Sequence, residues 1–221
     1  MARPRGNYAV TAERRAAILQ SAFEVFARSG YRGGSLKDIA EIVGISEAGI
    51  LHHFKSKSQL LLAVLEHRDD VSNEWFNDSI QNSLAFAANW LQLLEYNMSH
   101  PGIVELYTII SGEATSANHP AHGYFQERYK TVQHFTEVNM RGIHEAGWFR
   151  PGTPDSLSLA VVLTALSDGL QVQWLLDRSI NMLELNESFW KQFLTEEAWA
   201  WVDQYRSSRG KFLDPVVKLP V

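Results

Sequence analysis

The chain contains no cysteine, which excludes disulfides, iron–sulfur clusters, thiolate zinc sites and cysteine nucleophiles. It also lacks any run of 18 consecutive apolar residues, so no membrane-spanning helix is expected. Strands are not signalled either, because no stretch alternates apolar and polar residues. Low-complexity tracts and internal repeats are missing. The first twelve residues carry arginines but no apolar centre, so a secretory leader is not expected there. These absences point to a protein of the cytoplasm without a membrane partner.

What is present is helical. The chain has 221 residues, 45% of them hydrophobic and 20% charged, the balance of a folded chain rather than a disordered one. Its net charge of −5 is unevenly spread. Met1 to Arg68 holds ten Lys+Arg against six Asp+Glu, a net +4, and the remainder carries −9. A small basic module that meets a polyanion, joined to an acidic body, fits this asymmetry.

Periodicity places a first helix over Thr11 to Ser29, with Thr11 as N-cap, an apolar face of Ala16, Leu19, Ala22, Phe23 and Phe26, and Gly30 as its stop. Ser35 with Asp38 resembles a capping box and opens a short helix that buries Leu36, Ile39, Ala40 and Val43 and ends at Gly44. Ser46 caps the next helix, about Glu47 to His53, and Ser56 caps a longer one. Further helices are expected over Ile80 to Met98, Ile103 to Ala117, Tyr124 to Ala146, Ser156 to Leu176 with Asp155 as cap, and Glu187 to Arg206.

Two short helices joined by Gly44-Ile45-Ser46 form a helix-turn-helix. Ala40 is small enough for close helix approach, Gly44 supplies the left-handed turn residue, and Ile45 is expected to be buried and pin the turn. Ile50 and Phe54 hold the second helix to the core. Glu47, Ala48, Gly49 and His52 are left outward, where a major groove would meet them.

The stretch GYRGGSLKDIAEIVGISEAGILHHFKSKSQLLLAVL, residues 30 to 65, resembles the N-terminal signature of TetR-type transcriptional regulators. The likeness rests on Ser35, the Ile39-Ala40 pair, the Val-Gly-Ile-Ser turn, the His53-Phe54 pair and Lys57. It implies an all-α fold, with a three-helix DNA-binding domain over residues 1–56 and a helical ligand-binding and dimerisation domain over 57–221. It further implies a regulator, in most cases a repressor, that binds a double-stranded palindromic operator as a homodimer and responds to a small, apolar effector. By the same resemblance Ser35, Ser46, Glu47, Ala48, Gly49, His52, His53 and Lys57 form the DNA-binding set. Ser35 and Lys57 would meet phosphates at helix N-termini. Leu51 departs from the family, which often has Tyr there. Arg3 and Arg5 are either a minor-groove arm or a solvated tail.

No metal or cofactor is expected. His52 and His53 are successive residues on a helix and point about 100° apart, so one ion cannot take both in the ordinary way. The glycines before Ser35 lack the Gly-Lys-Ser/Thr core of a phosphate loop. An enzyme would need a nucleophile, dinucleotide or metal motif, and none is present. In the acidic body, Trp90, Tyr107, His134 and Trp174 are the candidates for lining an effector cavity bounded by 86–98, 103–111 and 124–146. The apolar, small-residue helix 156–176 and the aromatic final helix are the candidates for the dimer interface.

Overall fold

The computed structural model describes residues 5–208 except residue 75, with side chains from residue 11 onward apart from those of 71, 74, 78 and 80. The side chains of Arg3, Arg5 and Trp75 and the tail from residue 209 therefore lie outside the described residues. Those described form ten α-helices and one 3-10 turn: α1 Arg5–Gly33, α2 Leu36–Val43, α3 Glu47–Phe54, α4 Lys57–Glu74, the turn Asn77–Ile80, α5 Ser83–Ser99, α6 Pro101–Glu113, α7 His122–Glu145, α8 Ser156–Leu176, α9 Met182–Phe193 and α10 Glu196–Ser208. The fold is all-α. The sole strand-like feature among them is one antiparallel bridge, Phe149 with Leu194.

The caps explain most boundaries. Ser35, Ser46, Ser56 and Asp155 each accept a backbone N–H three residues on, from Asp38, Gly49, Gln59 and Ser158. Each satisfies a donor that the helix cannot. Gly44 takes φ 72, and the N–H groups of both Gly44 and Ile45 donate to the Ala40 carbonyl, which ends α2 abruptly.

Several boundaries differ from expectation. Thr11 lies inside α1, which already runs at Arg5. The body's first helix begins not at Ile80 but after Asn82, whose side chain accepts the Leu84 N–H. The expected final helix is two. Leu194 is fully buried, its carbonyl accepts the Arg150 Nε–H at 2.7 Å, and Thr195 caps α10 by accepting the Ala198 N–H. α9 starts five residues earlier than expected, capped by Asn181 on the Glu184 N–H.

Contacts divide the chain into two units. The first gathers residues within Met1–Val71 and Glu105–Tyr124. Its core holds Ile18, Leu19, Ala22, Val25, Phe26, Ile39, Ala40, Ile50, Phe54, Leu60, Leu61, Leu106 and Ile110. Leu36, Val43 and Ile45 are half-buried, so Ile45 anchors the turn with only part of its side chain.

The second unit gathers described residues within 72–104 and 125–208. One apolar cluster centres on Phe86, Leu91, Met140, Ile143, Leu163, Trp190 and Val202, and a smaller one on Val104, Leu170, Trp174 and Met182. α5 and α7 approach closely: a Cβ on Gly142 would lie 2.1 Å from Ser83 Oγ. α8 is long and apolar enough, by length and composition alone, to cross a membrane. Its inner face nevertheless buries Thr164, Ser167 and Gln171 beside Leu159, Leu163 and Trp174, the mixture of a protein core helix.

Candidate DNA interface

The first unit assembles a helix-turn-helix from α2 and α3. Ile50 and Phe54, one turn apart, are buried and turn the opposite face of α3 outward. That outward face carries Glu47, Ala48 and His52, as the spacing predicts, and also Leu51, 39% exposed. Gly49 is half-buried, and a Cβ there would meet Ile45 Cδ1 at 3.5 Å, an ordinary contact.

Hydroxyls cap α2 and α3, and a cation opens α4. Ser46 and Ser35 each spend an oxygen lone pair on a cap, which leaves the O–H free to donate to an anion. Lys57 opens α4 with its Nζ 4.4 Å above the Tyr31 ring. Burial there holds its ammonium pKa below the ordinary lysine value, and the Glu113 carboxylate opposes that shift. His53 is half-buried, edge-on to His52 at 5.6 Å between ring centres. Burial first, and then the neighbouring His52, Arg15 and Arg14, hold its pKa below the ordinary imidazole value. Arg15 stacks its guanidinium 4.6 Å over Phe54.

Behind the interface lies a hub that periodicity could not signal. Gly30 takes φ 67 and breaks α1, a backbone state open mainly to glycine. The break presents the Tyr31 N–H to Glu113 Oε2 at 2.8 Å, and the Tyr31 hydroxyl meets Ser58 Oγ at 2.8 Å. A Cβ at residue 30 would strike Glu113 Oε1 at 2.6 Å. His119 is buried edge-on to Tyr31, with Nε2 3.4 Å from Glu113 Oε2 and Nδ1 accepting the Ala121 N–H. With Nδ1 accepting, Nε2 is the nitrogen turned toward the carboxylate, and burial pushes the ring's pKa down while Glu113 opposes the shift. Tyr31 thus ties the end of α1 to the starts of α4 and the end of α6 through residues 82 positions apart in sequence.

The remaining sequence candidates are not gathered into one place. Trp90 donates Nε1–H to Ser167 Oγ and Asn186 Oδ1, at 3.2 and 3.3 Å, and packs on Phe76 and Phe86. Trp174 belongs to the other apolar cluster of that unit, with Arg178 3.7 Å over its ring. His134 is a surface residue, its side chain 76% exposed beside Glu137. Tyr107, in the first unit, is buried under the Arg68 guanidinium. Sequence reasoning passed over Ser167, Asn186 and Gln171, polar residues buried between apolar neighbours.

Residues 18–64, the helix-turn-helix and its flanks, match the family model described as bacterial regulatory proteins, tetR family. Beyond that segment, the chain is 30% identical over 145 residues to the HTH-type transcriptional repressor KstR2 of Mycobacterium tuberculosis, covering 62% of this chain and 70% of that protein. This chain belongs to the TetR family. The TetR family is one of transcriptional regulators rather than enzymes, with a DNA-binding N-terminal domain and a helical C-terminal domain. The HTH-type transcriptional activator FasR of Mycolicibacterium smegmatis is 41% identical over 66 residues. That match spans about 30% of the length of each protein. A solved structure described as the molecular basis for control of antibiotic production by bacterial hormones superposes with a TM-score of 0.65 at 28% identity, covering 82% of this chain and 97% of that one.

Proposed function

We propose that this TetR-family regulator is a cytoplasmic repressor that binds a palindromic operator as a homodimer and leaves it when a small apolar molecule binds the body. The observation that carries the DNA half of this reading is the outward face of α3, held out by Ile50 and Phe54, with Ser35, Ser46 and Lys57 at the starts of α2, α3 and α4 and His53 near the end of α3. The last four contact phosphates. Glu47, Ala48, Gly49 and His52 face base edges. Residues 1–56 carry this task and 57–221 the ligand and the partner subunit.

Support for the dimer comes from the outer face of α8. Leu157, Val161, Val162, Val172 and Leu176 are all exposed, Val162 at 53% and Leu176 at 83%. They recur at helical spacing, an apolar stripe that a two-fold partner would cover. Two heads on a two-fold axis meet half-sites about one DNA turn, ~34–36 Å, apart.

Support for the effector comes from polar atoms of the second unit. Among the described residues, Gln92 Oε1, Gln171 Oε1 and Trp190 Nε1 are buried without a hydrogen-bond partner. Leaving such groups unmade is costly, and a ligand with matching donors and acceptors offsets the cost. Trp90, whose indole N–H reaches Ser167 and Asn186, is the aromatic candidate to meet its apolar part.

The test is a gel shift on sites selected from random DNA, followed by a lipophilic-metabolite screen for thermal stabilisation. Stabilising compounds are expected to weaken operator binding roughly 5–150-fold, the usual range of allosteric coupling. Compounds that raise Tm yet leave operator affinity unchanged defeat the effector half of the reading.

A further inference from the structure

We infer that α3 reads a cytosine amino group and a thymine methyl group, with Glu47 and Leu51 as the residues that set base preference. The inference rests on the head being the DNA-binding element and concerns what that element recognises. The helix is Glu-Ala-Gly-Ile-Leu-His-His-Phe. It contains no Arg, Lys, Asn or Gln, so the bidentate partners of guanine and adenine are absent from it. The outward residues 47, 48, 51 and 52 fill about 140° of arc at about 100° per residue. They offer a carboxylate, a methyl, an isobutyl group and one imidazole.

Chemistry assigns the first row. A carboxylate only accepts hydrogen bonds, and it is repelled by every phosphate it passes. At the leading turn, where recognition helices touch base edges, its favourable partner is the cytosine N4 amino group. Guanine and thymine present only acceptors at the corresponding positions, so Glu47 rejects them. Leu51 lies one turn on, along the same line. It has no hydrogen-bonding group and keeps 39% of its surface exposed, although Ile50 and Phe54 beside it are buried. The thymine C5-methyl is the one apolar feature of a major-groove edge, and Ala48 adds a second methyl contact on the neighbouring row. Four residues of helix rise about 6 Å, against about 3.4 Å per base pair, so the cytosine and the thymine stand within about two base pairs of each other.

The experiment is in vitro selection from a random duplex pool with the full-length wild-type chain and with Glu47→Gln, followed by binding to the enriched site with single thymines replaced by deoxyuridine. The wild type is expected to enrich half-sites with a fixed cytosine next to or one removed from a fixed thymine. Glu47→Gln is expected to change the cytosine preference to adenine, which glutamine bonds bidentately. It also raises affinity for non-specific DNA by removing a negative charge. Removing the methyl of the contacted thymine should cost the wild type about fourfold, the worth of one buried methyl group, and Leu51→Ala should be insensitive to the same change. A Glu47→Gln protein that keeps the wild-type base preference overturns the carboxylate assignment. A site in which no thymine-to-deoxyuridine change alters binding overturns Leu51. Enrichment of no sequence at all overturns the DNA-reading head itself, and that result is distinct from enrichment of a site with the wrong bases.

Discussion

The Tyr31 backbone N–H donates to the Glu113 carboxylate across 2.8 Å, joining the break in α1 to the last residue of α6. Because Tyr31 also carries Lys57 on its ring face and Ser58 on its hydroxyl, the carboxylate fixes the ground on which the Lys57 ammonium stands. Glu113→Ala leaves the N–H without its charged acceptor and is expected to cost about 1–3 kcal/mol in urea unfolding. Glu113→Gln, which keeps an acceptor, should recover part of that loss. Wild-type stability in both variants would show that water replaces the carboxylate freely.

Lys57→Ala should weaken binding to every DNA sequence alike and lower the slope of log K against log salt by about 0.9, one phosphate's worth. Salt titration of wild type and variant on a specific and an unrelated duplex measures this. An unchanged slope would place the Nζ over Tyr31 as packing alone.

Gly49→Glu should abolish operator binding while leaving helicity intact. The space around Gly49 admits a Cβ at ordinary contact distance, so the added side chain projects toward DNA as bulk and negative charge. Circular dichroism with a gel shift separates the two effects. Specific binding by the folded variant would remove α3 from the groove.

Oligomeric state is read by light scattering, which should give about twice the 25.0 kDa chain mass. Leu163 and Leu170 are core residues of their unit, so charges there would unfold the body. Val161→Glu with Val172→Glu, on the exposed face, should dissociate the dimer with helicity retained. A wild-type monomer at micromolar concentration refutes the interface.

Acid should weaken the fold through His119. Burial lowers its folded pKa beneath the ordinary 6.5, with Arg32 adding to the shift and Glu113 opposing it. The unfolded chain therefore binds the proton first as pH falls. The contribution is complete above about 6.5 and declines as pH drops from there toward the lowered folded value. His119→Asn, which keeps an acceptor for the Ala121 N–H without titrating, should flatten the fall in Tm between about pH 7 and 5.5 relative to wild type. Parallel Tm curves for the two proteins would exclude the role.

The helix-turn-helix was legible because its determinants are local. A cap, a left-handed glycine and an i, i+4 apolar pair lie within four residues of what they control. The Asn82 and Asn181 caps were equally local, with Glu184 three residues beyond Asn181, and reading them would have placed α5 and α9 correctly. The split between α9 and α10 was not legible, since it depends on Arg150, 44 positions away, claiming the Leu194 carbonyl. The Tyr31–Glu113–His119 hub has the same character. Its members look like a loop tyrosine, a helix-end glutamate and a histidine before a proline until the fold brings them together. His134 shows the converse: helical spacing alone does not say which face of α7 is wet.

Lys55 stands between α3 and α4 with φ 51, a positive value carried by no other non-glycine among the described residues. Glycine at that position would relieve about 1 kcal/mol of backbone strain. A strained residue keeps such a conformation only where the packing around it overrides its own backbone preference, so the α3–α4 joint is set by the helices it links. α3 is consequently held on α4 at an angle that packing sets.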